Sequence, residues 1–111
     1  MRQEHNKLVR DYIPQIIRQS GHQCDIAILS EAEFSQALRE KLLEEAQEVA
    51  GASPQDLVSE LADLQEVIDA ILALYGISRD DVLTEQRRKR AERGGFEQRI
   101  RLLWTQLSQS R

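Results

Sequence analysis

Serines and glycines cut this chain into pieces of helix length. Ser30 with Glu33, Ser53 with Asp56 and Ser78 with Asp81 each set a good N-cap three residues before an acid. The hydroxyl can take an orphan N–H at a helix start while the acid reaches back to the cap. Pro54 follows the middle serine and suits the first helical position, where a missing N–H does no harm. The glycines stand at the opposite ends. Gly21, Gly51, Gly76 and the pair Gly94-Gly95 each follow a helix-like segment, where a left-handed residue closes a helix. The two sets of signals are independent and agree. They predict helices over 31–50, 54–75 and 79–93, and hence a mainly all-α fold.

Ahead of the first of these helices, residues 6–10 are expected to run extended. Asp11 is expected to cap a short helix with Pro14 in its first turn. Cys24, Ile26 and Ile28 alternate with other residues at the period of a strand. Beyond Gly95 two patterns compete: Ile100, Leu102 and Trp104 alternate with Arg99 and Arg101, while Phe96, Ile100, Leu103 and Leu107 fit a helical stripe. The expectation is a short two-stranded β element that pairs this segment with 24–29, followed by a loose polar tail over 106–111.

The 111 residues bound the chain to one domain, 1–111, with a modest core. A net charge of −4 gives no reason to expect nucleic acid as a partner. Cys24 is the only cysteine, so no intrachain disulfide can form. No apolar run is long enough to span a bilayer, and the N-terminus leads into no signal-like segment. The expected location is cytoplasmic, without a membrane.

Charge is strongly uneven along the chain. Residues 40–69 hold nine acids against Lys41 alone, too one-sided for a face laced with i,i+4 ion pairs. Positions three, four and seven apart share a helix face, and Phe34, Leu38, Leu42 and Val49 make such a stripe. Glu45 interrupts it, with Glu44 and Glu48 on the adjoining ridge. In the next helix Leu57, Leu61, Leu64, Ile68 and Ile71 form a seam through which Asp56, Glu60 and Asp63 run as a row. The short connection at 51–53 makes the two helices antiparallel neighbours. Glu45 and Glu48 can therefore face Glu60 and Asp63. Converging carboxylates repel and lose hydration unless a cation joins them. An oxygen-only set without His or Cys favours Mg²⁺, or Mn²⁺, over zinc. Glu66 and Asp69 do not continue the row cleanly and read as surface acids.

Bases gather elsewhere. Lys7 and Arg10 make a small patch near the N-terminus. Residues 85–101 carry seven bases against three acids. Two readings stand for Lys89 and Arg93, four apart near a helix end: favourable charges at the helix C-terminus, or a phosphate clamp. There is no glycine-rich P-loop motif. His5 and His22 read as loop residues and Cys24 as a packed apolar group.

Four stretches carry a resemblance that covers nearly the whole chain: 6–14 (NKLVRDYIP), 41–48 (KLLEEAQE), 60–70 (ELADLQEVIDA) and 93–100 (RGGFEQRI). Together they resemble the all-α nucleoside triphosphate pyrophosphohydrolase superfamily, the MazG-like enzymes. They are most similar to its small single-domain subgroup labelled phosphoribosyl-ATP pyrophosphohydrolase-like. Tyr12 departs from the pattern, standing where a lysine is expected. The resemblance implies that Glu45, Glu48, Glu60 and Asp63 hold Mg²⁺ and that Glu44 supports them or aids water activation. It also implies that Lys7, Arg10, Lys89 and Arg93 reach substrate phosphates. The expected activity is hydrolysis of a nucleoside triphosphate to the monophosphate and pyrophosphate, in house-cleaning of noncanonical nucleotides, with Glu44 or Glu48 handling the water. Two alternatives stand: a phosphoribosyl-ATP pyrophosphohydrolase-like activity, and a nucleotide-sensing helical module without turnover. One helical layer of this size hardly encloses a nucleotide, so a homodimer or a dimer of dimers is expected to complete the bundle.

Overall fold

The computed structural model describes residues 2–108, and these form four helices and no strand. They are α1 (Ile13–Gln19), α2 (Glu31–Gly51), α3 (Leu57–Tyr75) and α4 (Arg79–Arg93). The chain divides into two compact units, one up to Ser78 and one from Arg79 on. No helix is long and apolar enough to cross a membrane.

In the first unit, α2 begins as its sequence dictates. Glu33 donates its backbone N–H to Ser30 Oγ at 3.2 Å, and Ser30 donates its own to Glu33 Oε1 at 2.9 Å. This reciprocal box satisfies two N–H groups the helix cannot. The acceptor role also holds the Glu33 carboxyl below the ordinary glutamate range. At the end of α3, beside the start of α2, Gly76 takes φ +63 after Tyr75. Its N–H reaches Ala73 O and that of Ile77 reaches Leu72 O, a Schellman closure that a side chain at this φ would strain.

The connection between α2 and α3 departs from expectation. Gly51 is the last helical residue of α2, without a positive φ, and Ala52 leaves the helix extended. Ser53 and Pro54 then open a turn rather than the helix. Asp56 N–H donates to Ser53 O at 2.9 Å, and Ser53 Oγ donates to Asp56 Oδ2 at 3.1 Å. Pro54 fits the second position of such a turn as well as it fits a first helical position. With its carboxylate engaged by Ser53, Asp56 makes no side-chain cap, and α3 starts at Leu57.

α2 and α3 pack together as an antiparallel hairpin. Its core is thin: Leu38 and Val67 are the buried apolar side chains among the described residues, at 2% and 7% exposure. The inward row of α3 runs Glu60, Asp63, Leu64, Val67, Ile71 and Leu74, spaced at three and four residues as one helix face requires. Leu57 and Leu61, expected in the seam, are exposed with Val58, while Leu64, Ile68 and Ile71 keep to it. In the first two turns of α3, Glu60 and Asp63 therefore take the inward positions a core residue would otherwise hold.

The cap of α1 lies one residue later than expected. Tyr12, not Asp11, holds the N-cap position and makes no side-chain cap, while Pro14 sits in the first turn as expected. The expected β element does not form. Residues 24–29 carry no ladder, and Ile26 and Ile28 are exposed. An alternating pattern marks extended backbone but does not supply the partner N–H and C=O groups a strand needs.

In the second unit, α4 ends at Gly94, φ +84, whose N–H donates to Arg90 O at 2.8 Å. Arg88 bridges Glu85 and Glu92 along one side of the helix, and Arg90 pairs with Glu97 beyond it. The segment expected to be a strand turns instead. Arg99 N–H reaches back to Phe96 O and Arg99 itself is left-handed at φ +57, which breaks the period-two pattern where the strand would begin. Residues 109–111, the end of the expected tail, lie outside the described residues.

Candidate metal centre

Glu45 of α2 meets Glu60 and Asp63 of α3 across the hairpin. Each offers a carboxylate oxygen, and these oxygens lie within 4.8 Å of one another. The register follows from the helices: Glu45 lies two turns before the end of α2, and Glu60 and Asp63 in the first two turns of α3. Glu45 is 9% exposed, the one buried charged residue among those described.

Lysine and arginine hold the edges of this cluster and leave its middle bare. Lys41 Nζ lies 3.5 Å from both Glu45 Oε1 and Glu44 Oε2. Lys7 Nζ approaches Glu44 Oε1 at 3.3 Å from the irregular N-terminal segment. Arg10 Nη2 donates to Asp63 Oδ1 at 2.7 Å, and its Nη1 lies 3.8 Å from Glu66 Oε1. Glu60 has no ion-pair partner among the described residues. Partial desolvation, then the charges of Glu48, Asp63, Glu45 and Asp56, push its carboxyl above the ordinary glutamate range. Glu44 moves the other way. Desolvation acts to raise it, but the hydrogen bonds and charges of Lys7 and Lys41 together outweigh that and hold it low.

The expected site residues thus divide. Glu45, Glu60 and Asp63 converge. Glu48 is exposed and stands outside the three, although among neighbouring charges it acts most strongly on Glu60. Glu44 faces Lys7 and Lys41. Lys7 and Arg10 reach carboxylates of the same cluster. Lys89 and Arg93 lie exposed on α4 in the second unit and make no ion pair among the described residues. Two contacts were not anticipated. Lys41 is part of the cluster, which its spacing of three and four to Glu44 and Glu45 signals. Glu66, expected as a plain surface acid, shares Arg10 with Asp63, a long-range pairing with no local sequence signal.

The donor set suits a hard divalent cation. It offers carboxylate oxygens alone, from two helices, with one acid left without a counter-charge among the described residues. Magnesium usually takes one or two carboxylates and completes its shell with water and phosphate oxygens, so three converging acids supply enough.

A helical hairpin that gathers acids on its inner face, with basic side chains at the rim, defines a class: a helical protein with a carboxylate site fit for a cation and a polyanion. Comparison with family models makes this specific. Residues 14–90 match phosphoribosyl-ATP pyrophosphohydrolase (PRA-PH), and the chain belongs to that family. Its members are MazG-like all-α pyrophosphohydrolases acting on phosphoric anhydrides. The matched stretch contains all the acids of the cluster and ends just after Lys89, while Lys7 and Arg10 lie before it and Arg93 after it. No curated protein and no solved structure matches the chain.

Proposed function

We propose that this protein hydrolyses phosphoribosyl-ATP, or a nucleotide closely like it, between the α and β phosphates. The products would be the corresponding monophosphate and pyrophosphate. The convergence of Glu45, Glu60 and Asp63 within a chain of this family carries the reading. These three residues would hold Mg²⁺. When bound, the ion neutralises phosphate charge and polarises the phosphorus under attack.

The remaining roles follow from the geometry. Glu48 is exposed, beside the cluster and free of a lysine partner, so it is the better acceptor for a proton from the attacking water. Glu44, held low by Lys7 and Lys41, is the poorer base and serves to seat those two lysines. Lys7 and Arg10, which reach carboxylates beside the three acids, supply cations for the phosphates and for charge building on the departing pyrophosphate; for Lys89 and Arg93 the same role is carried over from the resemblance alone. Water adds across the anhydride bond. Its oxygen stays on one phosphorus, and the proton passes through Glu48 to solvent.

A second copy of the chain belongs to this reading. The hairpin buries few apolar side chains of its own, while Leu43, Val58 and Leu61 are exposed on the two helices that carry the acids. A hairpin stacked on those residues would give the four-helix core that one copy lacks. Equilibrium sedimentation is expected to show a dimer or a dimer of dimers, and a strict monomer would refute this part. The reaction is placed in the cytoplasm, where nucleotides are abundant.

The test is a screen for pyrophosphate release with Mg²⁺ across phosphoribosyl-ATP, ordinary nucleoside triphosphates and noncanonical ones. Release from phosphoribosyl-ATP above all others supports the proposal. A broad preference for noncanonical triphosphates would favour house-cleaning instead. Binding of nucleotide without release would point to a sensing module.

A further inference from the structure

Arg10 approaches the cluster from outside the stretch that the family model matches, and it touches the cluster at one ligand only. One nitrogen of its guanidinium donates to Asp63 Oδ1 at 2.7 Å, and the other lies 3.8 Å from Glu66 Oε1. Glu66 is three residues beyond Asp63, nearly one turn further along α3 and away from Glu60. The segment that carries Arg10 has no regular structure from residue 2 to residue 10, so a shift of the side chain by a few ångströms breaks no helix.

We propose that Arg10 is the built-in counter-ion of the acidic cluster: it neutralises Asp63 in the metal-free protein, yields it when a divalent cation binds, and then, anchored by Glu66, turns to the substrate's phosphates. The inference rests on the reading of Glu45, Glu60 and Asp63 as the cation site. Its logic is electrostatic. A guanidinium within hydrogen-bond distance of Asp63 stands within a few ångströms of any ion shared with Glu45 and Glu60, and like charges at that range repel even in water. The same guanidinium fits a phosphate in a bidentate manner once released. Glu66, too far from Glu60 along the helix to join the three, keeps the arm nearby instead of losing it to solvent. Arg10 then couples metal binding to substrate binding.

Two opposite effects follow, and a merely structural residue would give neither. Arg10→Gln should bind Mg²⁺ alone about fivefold more tightly, the scale of one screened charge beside a divalent ion. The same variant should bind the Mg²⁺–nucleotide more weakly, with a raised KM. Arg10→Lys, which keeps the charge without the fork, should restore the wild-type affinity for Mg²⁺ and only part of the KM. The experiment is calorimetric titration of Mg²⁺ into the full-length, nucleotide-free wild type, Arg10→Gln, Arg10→Lys and Glu60→Gln, with melting curves to show that each is folded. Tighter binding by Arg10→Gln, with loss of binding in Glu60→Gln, is the expected result. Unchanged or weaker binding by a folded Arg10→Gln, while Glu60→Gln still loses the ion, overturns the role of Arg10 and leaves the site standing. Failure of the wild type to bind Mg²⁺, or equal binding by Glu60→Gln, overturns the site and the inference together.

Discussion

The hydroxyl of Tyr75, the last residue of α3, lies 2.6 Å from Ser35 Oγ on α2. Arg39, one turn along α2 from Ser35, donates to the same hydroxyl at 3.2 Å and stacks over the ring. This tie closes the end of the hairpin opposite the Ser53–Asp56 turn. With both ends fixed, the helices cannot slide, and Glu45 is held level with Glu60 and Asp63. Tyr75→Phe should therefore lower the melting temperature and lower turnover together. Unchanged turnover in a destabilised Tyr75→Phe would show that the register is set elsewhere.

The same tie makes a pH prediction. Hydrogen bonds to Ser35 and Arg39, chiefly, hold the Tyr75 phenol below the ordinary tyrosine value of about 10. A depressed folded value means that the ionised form is favoured by folding. Its contribution is complete above the unfolded value and disappears as pH falls through the folded one. Absorbance titration of a Tyr12→Phe protein should find the remaining tyrosine ionising early, and Arg39→Ala should move it back up. A transition at the ordinary value in both proteins would remove the tie.

Glu60 presents a charge without a basic partner among the described residues, so its replacement should divide function from stability. Glu60→Gln is expected to cut Mg²⁺-dependent turnover on the order of 100-fold, as loss of an ion's protein partner commonly does. The metal-free protein should melt no lower than wild type, because a repelling charge has gone, and gain less from added Mg²⁺, because a carboxylate ligand has gone. A Glu60→Gln enzyme with normal turnover would contradict the assignment.

Leu38 tests how much the thin core matters. It is buried at 2% exposure between α2 and α3, so Leu38→Ala should cost about 3 kcal/mol in denaturant unfolding. A loss under about 1 kcal/mol would mean that the hairpin does not depend on this contact.

For Lys89 and Arg93 the sequence admits two roles, helix-end charges or phosphate ligands. If they bind phosphate, Lys89→Ala and Arg93→Ala should each raise KM about tenfold, the worth of one charged hydrogen bond. Binding of Mg²⁺ in the absence of nucleotide should stay as it is. A KM unchanged in both would return them to the solvated helix end.

The legible parts of the sequence were those set by neighbours in the chain. The Ser30–Glu33 box and the Gly76 closure are decided within a few residues, and both form as expected. The convergence of Glu45 with Glu60 and Asp63 was legible too, because a short turn makes the two helices antiparallel neighbours and sets these acids at the same height. Illegible were choices between two locally adequate options. Ser53 and Pro54 suit a turn as well as a helix start. Ile100, Leu102 and Trp104 carry a strand's period, yet the left-handed Arg99 ends it. The contacts of Arg10 span 53 residues to Asp63, and no local pattern encodes them.

The central claim is that the three acids on α2 and α3 drive cleavage of a nucleotide between its α and β phosphates. Phosphorus NMR of phosphoribosyl-ATP incubated with the full-length protein and Mg²⁺ tests it most directly, with wild type beside the double variant Glu45→Gln, Glu60→Gln. The account predicts that pyrophosphate and the monophosphate grow in equal amounts with the wild type and not with the folded double variant. Release of orthophosphate instead, or equal pyrophosphate from both proteins, would contradict it.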